Sequence, residues 1–354
     1  MTELLGIEIP LIQAPMAGVS TPELAAVVAN AGGLGSVAIG TLSVTAAERA
    51  LSEARLLTDR PIAANVFVHD APARNRSEEA DFLDSLSPLF ARFGAQPPGS
   101  LSEIYRSFND DDEMLAVLLR CRPRAVSFHF GVPAAAKVEA LKAAGILLLA
   151  TATNVKEARL LATDGIDIIV AQGSAAGGHS GAFLEIDHLR RNNRAVHQET
   201  LPLVTEIVAE LPNPVVAAGG LMFGSDIHAA LDAGASGAQL GTAFVACPET
   251  LASATYIQWL GRGVATRTTD RISGRPARGL VNPLMETLAD LTGPLADYPL
   301  TYDATKQLID AASDPAFSVM WAGTGASIVD AERRTLPAAA LVERLAEELR
   351  AASA

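Results

Sequence analysis

The sequence predicts an α/β fold of the parallel (β/α)8 type, a TIM barrel with an inserted and appended helical lid, from three observations. Eight strand-length apolar runs succeed one another along the 354 residues, continuous rather than alternating, as strands buried on both faces are. Amphipathic segments lie between many of them, and strands that alternate with helices build right-handed βαβ units. The GxGxxG turn that usually announces an open, doubly wound sheet occurs nowhere in the chain.

The first run, Leu11 to Met16, leads into a helix from Pro22 to Ala31, with Thr21 as its N-cap and Gly32 and Gly33 as its stop. Leu34 to Gly40 and Pro61 to Phe67 give the second and third strands. A polar, Asp/Glu/Ser-rich stretch of about 70–121 then breaks the rhythm. Ala125 to Phe130, Ile146 to Ala152 and Ile166 to Gly173 follow as strands four to six, and Pro214 to Gly220 and Gly237 to Phe244 complete the set. Further helices of about 248–325 come after the last strand. Both interruptions are expected to be additions that cover the active site of a single 1–354 domain, not separate domains.

Composition narrows the function. Hydrophobic residues make up 49% of the chain and charged residues 19%, with a mean hydropathy of +0.25, so a large core is available and disorder is not. The apolar runs fall far short of the roughly 20 residues that a bilayer demands. The start, MTELLGIEIP, lacks a basic region and a signal-length apolar stretch, so a cytoplasmic enzyme is expected. A net charge of −13 argues against a nucleic-acid partner. Cys121 and Cys247 form no CxxC pair, and the histidines at 69, 129, 179, 188, 197 and 228 show no HExxH spacing, so no metal is expected.

The chemistry-bearing segments sit at strand ends, where barrels place their sites. AQGSAAGGHSG, residues 171–181, sets four glycines and three alanines around His179; small residues let backbone approach a flat ligand closely. AAGGL at 217–221 and QLGT at 239–242 follow strands seven and eight, the pair of loops whose backbone N–H groups bind phosphate in many barrels. APMAG at 14–18 and NVF at 65–67 suit a ring system's edge, or are simply strand ends. In YPLTYDATK, Tyr298, Tyr302 and Lys306 are spaced i, i+4, i+8, which puts all three on one helical face. Two phenols and an ammonium there suit an anionic substrate with nitro or carboxylate oxygens.

In their order and spacing, APMAG, NVF, SFHFG at 127–131, AQGSAAGGHSG, AAGGL, QLGT and WAGTG at 321–325 resemble the nitronate monooxygenase family, once called 2-nitropropane dioxygenases. The likeness runs across nearly the whole chain and is to the class I-like members. It implies an FMN-dependent barrel that oxidises alkyl nitronates, propionate 3-nitronate foremost, with O2 to carbonyl products and nitrite. It further implies that Ala14, Pro15, Met16, Asn65, Gln172, Gly177, Gly178, Gly219, Gly220, Gln239, Leu240, Gly241, Thr242, Trp321 and Gly323 hold FMN. His179 would be the catalytic base or anion partner, with His129, Tyr105, Tyr298, Tyr302 and Lys306 around the substrate. The Arg-, Asn- and His-rich stretch 185–200 is expected to reshape the pocket entrance.

Two rival readings share this sequence. An NAD(P)H-dependent flavin reductase of the same superfamily, acting on enoyl-acyl-carrier-protein or quinone, would need a nicotinamide donor. A barrel that merely binds a phosphorylated ligand would leave His179 without work.

Overall fold

The structure, a computed structural model, describes residues 1–184, 198–329 and 332–354. In chain order its strands are β1 (Leu11–Gln13), β2 (Gly35–Ala38), β3 (Ile62–Phe67), β4 (Ala125–His129), β5 (Leu147–Ala152), β6 (Ile168–Gln172), β7 (Gly178–His179), β8 (Val215–Ala218), β9 (Gly237–Leu240), β10 (Thr266–Thr269) and β11 (Ala277–Leu280). Eight of them form one all-parallel sheet in the order β1, β9, β8, β6, β5, β4, β3, β2. The ring shuts between β1 and the start of β2, where Leu34 N donates to Leu11 O and Gln13 N donates to Leu34 O, both at 2.9 Å. The fold is therefore a (β/α)8 barrel.

The strands alternate more than their apolar composition suggests. Ala64 and Val66 of β3, Val126 and Phe128 of β4, and Leu148 and Ala150 of β5 face outward into the layer that packs the helices. The residues between them face inward. Low in the barrel these are Ala63, Ala125, Leu149 and Ile168, which pack with Leu5 and Ile12. One pleat higher the inward positions turn polar, with Asn65, Ser127, Thr151 and, above them, His129 and Gln172 on the wall of a cavity. A dry floor and a polar rim thus come from the same strands.

Local signals set the surrounding helices. Thr21 caps Pro22–Asn30 by accepting from Leu24 N at 2.9 Å, which satisfies an otherwise orphan donor. The helix Asp112–Cys121 sinks Met114, Val117 and Leu118 into the outer barrel layer, so it serves as the helix of the third βα unit. The helix Ala338–Ala352 packs Leu341, Val342 and Leu345 against Leu24, Val28 and Ile227, which makes it the eighth. Between β9 and that helix lie the β10–β11 hairpin and the helices Pro283–Ala289 and Leu300–Ala312. These two helices share a core with Arg76–Arg92 through Phe82, Leu86, Phe90, Leu284, Leu288, Leu300 and Leu308. No described helix is long and apolar enough to cross a membrane.

Candidate active site

A cavity of about 620 Å³ opens at the carboxyl ends of the barrel strands, within the roughly 300–1,000 Å³ typical of small-molecule sites. Its wall brings together Ala14, Pro15, Met16, Asn65, Tyr105, His129, Gln172, Gly177, Gly178, His179, Gly219, Gly220, Gln239, Gly241, Thr242, Tyr298, Tyr302, Lys306 and Trp321. Two residues of the expected set are not on it. Leu240 points the other way, into a core with Leu11 and Leu24, because neighbours along a strand face opposite sides and Gln239 is the one turned inward. Gly323 lies behind the wall, its N–H donating to Thr242 Oγ1 at 2.9 Å. The stretch 185–197 lies outside the described residues, so the expected reshaping of the entrance concerns residues of which only 198–200 are described.

One end of the cavity is built from backbone. Gly219 and Gly220 have φ of +120° and +78°, a region costly for any residue with a Cβ. A Cβ on Gly220 would meet Ala175 Cβ at 2.8 Å, and one on Gly177 would stand 2.4 Å from Gly323 N. Thr200 Oγ1 pins this loop by donating to Gly219 O at 2.8 Å. Lys306 is the one lysine on the wall among the described residues, and no arginine joins it. An anion at the glycine end would be held by main-chain N–H groups.

His179 stands on the same wall, in the segment that follows β6. It belongs to β7, which pairs with β11 through Ala277 and is no part of the barrel sheet. Its carbonyl oxygen accepts from Gln172 Nε2 at 3.0 Å and faces His129 Nε2 at 3.2 Å. A carbonyl only accepts, so His129 carries its proton on Nε2 and takes a hydrogen bond on Nδ1 from Thr151 Oγ1 at 3.0 Å. Both ring nitrogens of His129 are thus engaged by protein. Gln172 likewise accepts from Gly181 N at 2.7 Å through Oε1. These contacts hold the backbone of His179 in place.

The His179 ring is ringed by aromatics: its centroid lies 5.2 Å from Trp321, 5.6 Å from Phe130, 5.8 Å from Tyr298 and 6.0 Å from Tyr302. Its Nε2 is 2.8 Å from Ser273 Oγ. Burial, reinforced by His129 and by Arg275, pushes its pKa down to about 3, and burial holds His129 down at about 4. Both rings are neutral at ordinary pH.

Tyr105, Tyr302 and Lys306 form a cluster in which the ammonium lies 5.4 Å from each of the two rings. Tyr298 joins them, its ring 6.5 Å from Tyr105, but not from the helix: Leu300–Ala312 begins after Tyr298, with Pro299 at its N-cap. A proline disfavours helical backbone at the residue before it, so the expected shared helical face holds for Tyr302 and Lys306 alone. Burial raises Tyr105 and Tyr302 to about 12 and Tyr298 well above its ordinary value. All three phenols keep their protons and can donate.

Several wall and support residues escaped the sequence reading. Ser273 and Arg275 come from the turn between β10 and β11, and Arg275 stacks its guanidinium 4.4 Å from the Phe130 ring centroid. Ser127, which accepts from Asn65 Nδ2 at 2.9 Å, was visible only as the first residue of SFHFG, and Thr151 only as a member of an apolar strand. Tyr256 lines the cavity with its hydroxyl donated to Trp321 O.

The wall suits a flat cofactor with a phosphate tail. A Cβ on Gly178 would meet nothing within 4 Å, so that loop leaves free space beside it, and the glycine loop at 219–220 lines the same cavity. The Asn65 side-chain oxygen opens on the same space, since its amide nitrogen alone is taken up by Ser127. Among the described residues no cluster of three or more His, Cys, Asp or Glu side chains is placed to hold a metal ion.

The chain matches the family model described as nitronate monooxygenase over residues 1–348. It is 49% identical to a nitronate monooxygenase of Pseudomonas aeruginosa, covering 99% of this chain and 98% of that one. A nitronate monooxygenase of Paraburkholderia phytofirmans is 47% identical, covering 98% and 94%. Among solved structures, nitroalkane oxidase from Streptomyces ansochromogenes superposes with a TM-score of 0.84 at 37% identity over 99% of this chain and 98% of that one. FabK from Thermotoga maritima shares the fold, with a TM-score of 0.72 at 23% identity over 99% and 96% of the two chains.

Proposed function

The chain belongs to the nitronate monooxygenase family, and we propose that it oxidises propionate 3-nitronate and other alkyl nitronates with O2, using FMN seated along the cavity wall. It is an oxidoreductase that acts on nitronates. The observation that carries the finer reading is that one cavity is lined by the His179 ring, which stands 5.8 Å from Tyr298 and 6.0 Å from Tyr302, by Lys306 beside Tyr302, and by the glycine-built loop at Gly219–Gly220. Two nitronates and one O2 balance to two carbonyl products and two nitrite ions.

In this reading the Gly219–Gly220 and Gly241–Thr242 backbones hold the phosphate, while Ala14 to Met16, Asn65, Gln172 and Gly177–Gly178 border the ring system. When bound, the flavin supplies the transfer of electrons between nitronate and oxygen. The protein's own residues orient and polarise. The neutral phenols of Tyr298 and Tyr302 donate to nitronate oxygens, and the Lys306 ammonium balances a substrate carboxylate. The apolar faces of Phe130 and Trp321 keep the reacting carbon dry.

Oxygen uptake by the purified yellow protein on addition of propionate 3-nitronate, with no nicotinamide present and with nitrite released, is the expected result. A yellow protein that takes up no oxygen, and whose flavin is reduced by NADH, would instead assign the chain to the flavin reductases that share its fold.

A further inference from the structure

We propose that Asp303 is a positioning residue whose buried carboxylate holds Tyr105 against Tyr302 and Lys306, a role that rests on the reading of the cavity as the nitronate site. Tyr298, Tyr302 and Lys306 come from one stretch of chain in the extension that follows β9. Tyr105 comes from the other addition to the barrel, in a segment, 101–107, that is neither helix nor strand. A side chain on such a loop keeps its place only where the loop itself is fastened.

The fastening is at a single peptide unit. Ser102 N donates to Asp303 Oδ2 at 2.7 Å, while the carbonyl oxygen of the same peptide, that of Leu101, accepts from Arg74 Nη2 at 3.1 Å. Arg74 is itself held by Glu79 through two contacts of 2.8 Å. Asp303 is buried, and its Oδ1 accepts from Gln307 Nε2 at 3.0 Å, one helical turn on. Both carboxylate oxygens are thus engaged, as a buried charge requires. Leu101 sinks into the core shared by the helices Arg76–Arg92 and Leu300–Ala312. Asp303 directly follows Tyr302, and Ser102 stands three residues before Tyr105, so one charge-assisted hydrogen bond sets the distance between the two halves of the cluster. A second clip, Ala73 N donating to Asp297 Oδ2 at 2.9 Å, joins the same two additions and should keep them docked when Asp303 is changed.

What this arrangement secures is the ammonium. Lys306 Nζ lies 5.4 Å from the centroids of both Tyr105 and Tyr302, a cation shared by two rings. If the 102–105 loop moves away, Lys306 loses one of those rings and with it the orientation that meets a substrate carboxylate.

The test uses flavin-loaded protein made with fluorotyrosine, in which the four tyrosines give four fluorine resonances. Those of Tyr105 and Tyr256 are identified by Tyr105→Phe and Tyr256→Phe. In Asp303→Ala the Tyr105 resonance should move while that of Tyr256, which donates to Trp321 O, stays in place; a general loosening would move both. Asp303→Asn, whose side-chain oxygen still accepts from Ser102 N, should restore the parent spectrum. For a carboxylate-bearing nitronate, Asp303→Ala should raise KM on the order of five- to tenfold with kcat within about twofold. Added to Tyr105→Ala, it should raise KM by no more than about twofold further. A Tyr105 resonance that stays in place in Asp303→Ala would overturn the proposal, and so would KM effects that multiply. Amide exchange on the parent protein needs no substitution: Ser102 N–H should exchange at least about tenfold more slowly than an unprotected loop amide, and free exchange would equally overturn it. Because neither spectra nor exchange depend on turnover, a displaced Tyr105 resonance in Asp303→Ala, with a parent protein that oxidises no nitronate, would refute the nitronate reading and leave the hold of Asp303 on Tyr105 standing.

Discussion

His129 and His179 touch through backbone, not through their rings: the Nε2–H of His129 reaches the carbonyl oxygen of His179 at 3.2 Å, while Thr151 occupies Nδ1. Sequence resemblance places His129 around the substrate; its hydrogen bonds make it a strut. His129→Ala should therefore lower kcat about ten- to a hundredfold with little change in KM, the pattern of a lost positioning contact. Thr151→Val should give a smaller fall of the same kind. Steady-state kinetics on a nitronate decide it, and a raised KM at unchanged kcat would return His129 to the substrate.

Lys306 should reveal itself through the substrate's own charge. Lys306→Met is expected to raise KM for a carboxylate-bearing nitronate about tenfold, in line with a charge-assisted hydrogen bond. It should change KM for a plain alkyl nitronate by no more than about twofold. Equal effects on both would remove the carboxylate contact.

Acid should destabilise the protein in a window set by its buried imidazoles. His69, His129 and His179 sit at about 4, 4 and 3 in the folded state, each lowered chiefly by burial from 6.5. Between 6.5 and those values the unfolded chain binds protons that the folded one refuses, so the stability these groups contribute is complete above pH 6.5 and drains away as pH falls. Each steepens the loss by up to about 1.4 kcal/mol per pH unit. His69, buried and edge-on to the Tyr298 ring at 5.0 Å, offers the test. Urea midpoints at pH 7, 6 and 5 should fall less steeply in His69→Phe than in the parent protein.

Gly177 should not tolerate a methyl group. With the nearest backbone nitrogen, that of Gly323, 2.4 Å from the Cβ position, Gly177→Ala must push the 173–178 and 321–325 loops apart. A cost of about 1–3 kcal/mol is expected, with less flavin retained per protein after gel filtration. Parent-like thermal stability and flavin content would show that the loops yield without loss.

The barrel was legible because its outer and lower positions are apolar whichever way the strands twist, and runs such as Ile166 to Gly173 announce buried strands directly. The site was legible where backbone demands glycine or where a rare side chain stands among small ones, as at Gly220 and His179. It was illegible where function rests on a contact between distant segments. Ser273 is 94 residues from His179, and nothing in RISGRP marks the serine as its partner. Tyr298 was found for a reason the structure revises, since a helical spacing that Pro299 interrupts still delivers the ring to the cavity. Thr151 and Ser127 looked like strand filler because their polarity matters only once the inward side of each strand is known.

The helix Ala338–Ala352 carries a consequence for synthesis. Its Glu348 accepts from Gly224 N at 2.8 Å and pairs with Arg333 at 2.7 Å, and Arg333 in turn donates to Met222 O at 3.1 Å. The ribosome makes this brace some hundred residues after the Gly219–Gly220 loop it steadies. While the nascent chain is still being extended, the segment that follows the glycine loop lacks its buttress, so a chain cut short before Arg333 should leave Met222 O and Gly224 N without these partners.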